Sequence, residues 1–231
     1  MLKQLKEEVF QANIDLLRHH LVTLTWGNVS GISRDDGLVV IKPSGVDYEV
    51  MKPADMVVVD YEGKIVEGSF RPSSDLPTHL LLYKKFSSVG GIAHTHSTYA
   101  TMYAQACKEI PCYGTTHADH FNGTIPVTRF LTKEEVEDQY EKHTGAVILE
   151  RFASLDPVTM PAVLVAGHAP FAWGTSASDA MKNILILERV AQIAFGSIQL
   201  HANLPTLPSY IQEKHFQRKH GPNAYYGQKK K

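Results

Sequence analysis

Gly90-Gly91-Ile92-Ala93-His94-Thr95-His96-Ser97 sets a short apolar run between two glycines and a pair of alternating histidines. Such a run reads as a short buried strand, and the residues after Ser97 read as a helix. If His94 and His96 continue the strand, its period of two puts both imidazoles on one face. Two neutral ring nitrogens there suit a borderline divalent metal. Alone, His-x-His more often marks hydrogen-bonded or exposed histidines than ligands.

Working outward, the same alternation of short strands and helices recurs. Upstream, Leu2, Leu5, Val9, Ala12 and Leu16 fall at helical spacing and predict an amphipathic first helix. A turn-rich segment with Gly27, Asn28, Ser30 and Gly31 follows. Leu38–Ile41 reads as a strand delivering the chain to Lys42-Pro43-Ser44-Gly45, and 56–59 with 64–66 reads as a hairpin. Ser73-Ser74-Asp75 precedes Pro77 and a leucine-rich helix ending near Phe86.

Downstream, Thr132-Lys133-Glu134-Glu135 is a capping box that should open a helix to about Tyr140. Strands are expected at 146–149 and 162–165. Ser176-Ala177-Ser178-Asp179 opens a long helix with Ala180, Ile184, Leu187, Ala191 and Ala194 as its core stripe. A last helix runs from about Pro208 to His220 and stops at Gly221-Pro222. With no internal repeat and no composition break, residues 1–231 read as one compact α/β domain in which several strands look antiparallel.

Composition narrows the function classes. The chain has 231 residues, 43% hydrophobic and 20% charged, and a formal charge of −1 from 23 basic and 24 acidic side chains. That balance gives no support to nucleic-acid or membrane attraction, and no apolar run approaches the roughly 20 residues of a membrane helix. The amino terminus is too charged for a secretory signal, so a cytoplasmic protein is expected. Cys107 and Cys112 read as ordinary reduced thiols.

Several further residues are candidates for chemistry. His168 follows a buried-strand candidate within Gly167-His168-Ala169-Pro170, where glycine permits close approach and proline stiffens the exit. Asp75 could add an oxygen ligand, although a helix N-cap is its commoner role at that spacing. Gly27-Asn28, Ser44-Gly45 and Ser73-Ser74, with Lys42 nearby, could present hydroxyls, an amide and backbone N–H groups to an anion, or could be solvated turns. Asp119 occupies neither a helical nor an alternating position and could lie on a surface turn. Tyr225-Tyr226 could hook the tail onto the body or onto a neighbour.

These residues carry a resemblance over nearly the whole chain. Leu24–Ser30, Ile41–Val46, Arg71–Asp75, His94–Ser97, Gly114–Asp119 and Arg218–Gln228 are similar to the matching segments of the L-ribulose-5-phosphate 4-epimerases, within the class II aldolase/adducin superfamily. The resemblance implies a central, mostly antiparallel sheet flanked by helices. It also implies a zinc ion in each subunit, with manganese or cobalt as possible substitutes, held by Asp75, His94, His96 and His168. It implies a phosphate pocket of Asn28, Lys42, Ser44, Gly45, Ser73 and Ser74. Asp119 and Tyr226 would be the catalytic acid and base, with Tyr226 and His215 contributed across an interface by the carboxy-terminal tail.

The implied assembly is a C4 homotetramer with sites between adjacent subunits. The implied reaction is reversible epimerisation at C4 of L-ribulose 5-phosphate to D-xylulose 5-phosphate by retro-aldol cleavage and re-addition, in arabinose or ascorbate catabolism. A class II sugar-phosphate aldolase and a non-catalytic adducin-like interaction protein are the competing readings. Aldolases of this kind typically carry glutamate at the position of Asp75. Two departures from the epimerase pattern stand out. Ala169 replaces a glycine and is expected to strain a turn if positive φ is needed there, and His120 replaces a tyrosine beside Asp119.

Overall fold

The computed structural model describes residues 2–226. The expected frayed tail Lys229–Lys231, with Gly227 and Gln228 before it, lies outside them. Seven strands form one sheet in the order β4-β3-β2-β1-β5-β7-β6, every neighbouring pair antiparallel. They are β1 (Asn28–Ser33), β2 (Leu38–Ile41), β3 (Val57–Asp60), β4 (Ile65–Glu67), β5 (Gly91–His94), β6 (Ala162–Leu164) and β7 (Pro170–Gly174). The helices are α1 (Lys3–Arg18), α2 (Leu76–Lys85), α3 (Thr98–Gln105), α4 (Thr115–Ala118), α5 (Lys133–Arg151), α6 (Ala177–Leu200) and α7 (Ser209–His220).

Successive residues of β1 show how the layers stack. Gly31 faces Leu5 and Val9 of α1 and Ala177 of α6, where a methyl group would meet Leu5 and Val9 at 2.9 Å. Its neighbour Ser30 points the other way, its hydroxyl 2.7 Å from His79 Nδ1 and 2.8 Å from the Tyr83 hydroxyl on α2. Alternation therefore puts α1 and α6 on one face and α2 on the other. α5 packs on α2, with Gly145 close against Leu81 and Thr78. The α6 stripe is as expected: Ala180, Ile184, Leu187, Ala191 and Ala194 are all buried.

Caps fix two of the helices. Thr132 and Glu135 exchange hydrogen bonds in the anticipated capping box, with Thr132 N donating to Glu135 at 2.8 Å and Glu135 N to Thr132 at 3.3 Å. Ser176 accepts from Asp179 N at the start of α6.

Two expectations are corrected. The segment 146–149 is not a strand, because α5 runs on through it to Arg151. A four-residue apolar run is ambiguous between a strand and a buried helix segment, and Val147 and Ile148 find their burial in the helix. The turn-rich 27–31 segment is largely the central strand β1. Its small and polar residues have tertiary reasons: Gly31 admits Leu5 and Val9 of α1, Ser30 bonds His79 and Tyr83, and Asn28 bonds Asp75. Asn13 of α1, fully buried, ties the same strand to the helix, donating to the Val29 carbonyl at 3.0 Å and accepting from Val29 N at 2.8 Å. β7, which follows His168, has no counterpart among the strands expected from sequence.

Replacing Asn13 with alanine leaves a Val29 amide without that buried acceptor. We expect Asn13→Ala to lower unfolding free energy by about 1–3 kcal/mol in urea titration. A change below a few tenths would show that α1 does not depend on this bond.

Candidate metal centre and active site

The strand ends on the α2 side of the sheet bring the first group of candidates together. Asn28 at the start of β1 pairs with His94 at the end of β5, and His94 pairs with Phe171 of β7. The His94 ring stacks on Phe171 with centroids 4.1 Å apart. Its Nδ1 donates to the Pro170 carbonyl at 2.9 Å. A carbonyl can only accept, so the proton sits on Nδ1 and the Nε2 lone pair is free for a ligand.

His96 lies just beyond β5, and His168 sits on the turn between β6 and β7. Ligand nitrogens of His94, His96 and His168 all lie within 4.8 Å of one another. Burial lowers all three pKa values, His94 to about 3 and His168 to about 4, with neighbouring imidazoles adding to the effect at those two. All three rings are neutral near pH 7, the state that a metal requires. His168 Nδ1 is buried without a hydrogen-bond partner. Three convergent neutral imidazoles, one with an unsatisfied nitrogen, fit a divalent cation.

Two glycines make this convergence possible. Gly27 has φ +75°, and a methyl group there would sit 2.8 Å from the His94 carbonyl oxygen. Gly167, with φ +72°, lies against Phe130 directly before His168. The left-handed residue of that turn is therefore Gly167. Ala169 lies among none of the positive-φ residues, so the expected strain at Ala169 is absent.

Asp75 is the N-cap residue of α2 by position, but its side chain makes no capping bond. It turns instead to Asn28, whose Nδ2 donates to it at 2.6 Å. Asp75, Asn28, the three histidines, Lys42, Ser44, Gly45, Ser73 and Ser74 line one cavity of about 500 Å³. Asp75 is not part of the tight histidine trio.

The loops that share this cavity with the histidines are held by Lys42 and by backbone bonds. Lys42 is buried, lies 4.6 Å from the Tyr48 ring centre and donates to the Val46 carbonyl at 2.9 Å. Burial lowers its pKa to about 8. Ser44 N donates to the Arg71 carbonyl and Ser73 N to the Lys42 carbonyl, tying the two loops together. These two backbone amides are thus already engaged. What the loops offer a ligand is the serine hydroxyls and the open surface over Gly45, where an added methyl would touch nothing.

Tyr140 and Glu141 also line the cavity and were missed. Gln139 breaks the helical path of α5 at φ −136°, ψ 74°, and this kink immediately precedes them. Neither proline nor glycine marks the kink in the sequence.

A second group gathers elsewhere. Asp119, buried at the end of α4, accepts from Arg218 Nε at 2.9 Å, Arg218 Nη2 at 2.6 Å and His215 Nδ1 at 3.0 Å, all on α7. Burial alone would raise its pKa, but the bonds from Arg218 and His215 outweigh that and hold it below the usual carboxylate value. The Tyr226 ring lies 4.8 Å from the Arg218 guanidinium and 4.5 Å from Lys219 Nζ. Lys219 also meets His120 Nε2 at 3.3 Å, and burial lowers the His120 pKa to about 4. His120 is therefore neutral and adds no charge beside Asp119. Asp119, His215 and Tyr226 do not line the histidine cavity.

Residues 7–195 match the Class II Aldolase and Adducin N-terminal domain. The chain belongs to the class II aldolase and adducin family. It is 56% identical over 228 residues, 99% of this chain and all of the relative, to L-ribulose-5-phosphate 4-epimerase UlaF of Salmonella paratyphi A (strain ATCC 9150 / SARB42). Among solved structures, an L-fuculose 1-phosphate aldolase superposes with a TM-score of 0.78 at 26% identity, covering 93% of this chain and 95% of that one. The L-fuculose-1-phosphate aldolase of Thermus thermophilus shares the fold, with a TM-score of 0.68 at 23% identity over 88% of this chain and 99% of that one. The three-histidine cluster thus sits in the setting of this family. No helix among the described residues is long and apolar enough to cross a membrane.

The depressed histidine pKa values predict an unusual pH profile for metal binding. Ligands with ordinary values near 6.5 would lose affinity on the order of fifty-fold between pH 7.5 and 6.0 through proton competition. Because burial keeps these rings neutral to lower pH, zinc affinity measured by chelator competition should fall clearly less than that over the same interval.

Proposed function

We propose that the chain interconverts L-ribulose 5-phosphate and D-xylulose 5-phosphate, inverting C4 by breaking and remaking the C3–C4 bond. The observation that carries this reading is one cavity lined by both the imidazole trio and hydroxyl-bearing loops, in a chain full-length similar to an epimerase. His94, His96 and His168 hold a zinc ion, or manganese or cobalt in its place, with Asp75 as a fourth, oxygen ligand. Bound there, the cation supplies Lewis acidity to the negative charge that develops on the C2 and C3 oxygens.

Ser44, Gly45, Ser73 and Ser74 bind the phosphate, with Asn28 beside them. Lys42 shapes their loop and adds positive charge. Cleavage leaves an aldehyde that still carries the phosphate, so this pocket keeps it from diffusing away. Rotation about the bond next to the phosphate-bearing carbon presents the other aldehyde face, and re-addition inverts C4. The C4 hydroxyl must lose its proton on one face and regain it on the other, so two groups are needed. Asp119 and Tyr226 fill those roles, and His215 positions substrate or tunes Tyr226.

In this reading Tyr226 and His215 come from an adjacent subunit of a C4 homotetramer, and Asp119, bonded to His215 and Arg218 of its own chain, goes with them, which departs from the expectation for Asp119. A phosphorylated substrate fits a cytoplasmic setting. Incubating the zinc-loaded protein with L-ribulose 5-phosphate should yield D-xylulose 5-phosphate by NMR. Free glycolaldehyde phosphate as the main product would select an aldolase instead, and absence of metal-dependent turnover would exclude both. Tyr226→Phe should lower kcat by about 10²–10⁴-fold while zinc content stays at the wild-type level. Loss of both together would remove Tyr226 from its assigned role.

A further inference from the structure

His96 is the least anchored of the three imidazoles. β5 ends at His94, so the sheet register that fixes His94 does not reach His96. His168 follows a turn tied back by the His168 N to Val165 carbonyl bond. His96 sits in the three-residue link between β5 and α3, and its side is solvent-facing. Thr95 and Ser97, on either side of His96, are buried and joined by a hydroxyl–hydroxyl bond of 3.2 Å, and the far end of the link is held by whatever holds the start of α3.

That start lacks a local cap. Ser97 is the N-cap residue of α3, yet its side chain makes no capping bond. The first turn of a helix carries N–H groups with no partner inside the helix, and they must be satisfied from elsewhere. Here a carboxylate arrives from a different helix. Glu188 of α6 is only 8% exposed, and its two oxygens accept separately from Tyr99 N and Ala100 N, each at 2.9 Å. A negative group at a helix amino terminus also meets the favourable end of the helix dipole. Its neighbours Leu187 and Ala191 are buried in the core, so α6 offers a rigid mount.

We propose that Glu188 is a positioning residue for the metal ligand His96. It clamps the first turn of α3 to α6 and so fixes the short link that carries the imidazole. Glu188 does not line the cavity, so its effect runs through the backbone of residues 97–100. The inference rests on the three-histidine cluster being a metal site.

The test compares zinc dissociation constants of wild type, Glu188→Gln and Glu188→Asp by chelator competition, alongside thermal midpoints of the metal-free proteins. Glutamine keeps one acceptor oxygen and turns an NH2 group toward the other amide. Aspartate keeps the charge on a shorter arm. Partners that orient a ligand typically change metal affinity 10–100-fold when replaced. We expect Glu188→Gln to weaken zinc binding by about that factor and Glu188→Asp by less. The metal-free midpoints should move by too little for unfolding to explain the loss.

Zinc affinities within three-fold of wild type in both variants would overturn the proposal and leave the metal site standing. A wild-type chain that binds no zinc would overturn both, and that outcome is visible in the reference arm. If Glu188→Gln does not fold, the aspartate variant decides alone by the same criterion.

Discussion

The hydrogen bond from His94 Nδ1 to the Pro170 carbonyl is the constraint on which the site depends. It selects one tautomer, leaves the Nε2 lone pair free, and needs β7 to run antiparallel to β5 in one register. That register stacks the ring on Phe171, and the pairing of β1 with β5 puts Asn28 beside it. Burial among these groups then makes protonation costly, so the ring is a ready ligand at neutral pH. The sheet thus sets position, tautomer and charge state together. Gly27 matters because a side chain there would meet the His94 carbonyl, and Gly167 because its φ of +72°, directly before His168, is one that side chains rarely adopt.

The molecule divides its polar chemistry between two places. One is the cavity with the imidazoles, Asp75 and the serine loops. The other is the α4–α7 contact, where Arg218 keeps Asp119 ionised and packs on Tyr226. Within one chain these are separate, and the proposed completion of each site by an adjacent subunit is what would join them. A carboxylate held by a bidentate arginine is a weak base, so contact with a neighbour's substrate would have to loosen that pair.

Much of this was legible in the sequence, and for identifiable reasons. The 3.6-residue stripe of α6 runs long enough to be unambiguous, and the capping box at Thr132 marks a helix start by chemistry alone. The histidine trio could be assembled from His-x-His and from a glycine–proline turn around His168. What failed depended on tertiary context. Val147 and Ile148 look the same in a strand and in a buried helix. The small polar residues of β1 look like a turn until Ser30 is seen bonding to His79 and Tyr83 and Gly31 lying against α1. The spacing of Asp75 favours a cap, and only its bond to Asn28 shows otherwise. Tyr140 and Glu141 enter the cavity through a kink that no proline or glycine announces.

All of the proposed chemistry begins with a cation on three imidazoles. X-ray absorption at the zinc edge of the purified, zinc-loaded chain tests that directly. One zinc per chain with three imidazole nitrogens at about 2.0–2.1 Å, completed by oxygen, is the predicted first shell. Sub-stoichiometric zinc, or sulfur from Cys107 or Cys112 at about 2.3 Å, would contradict it.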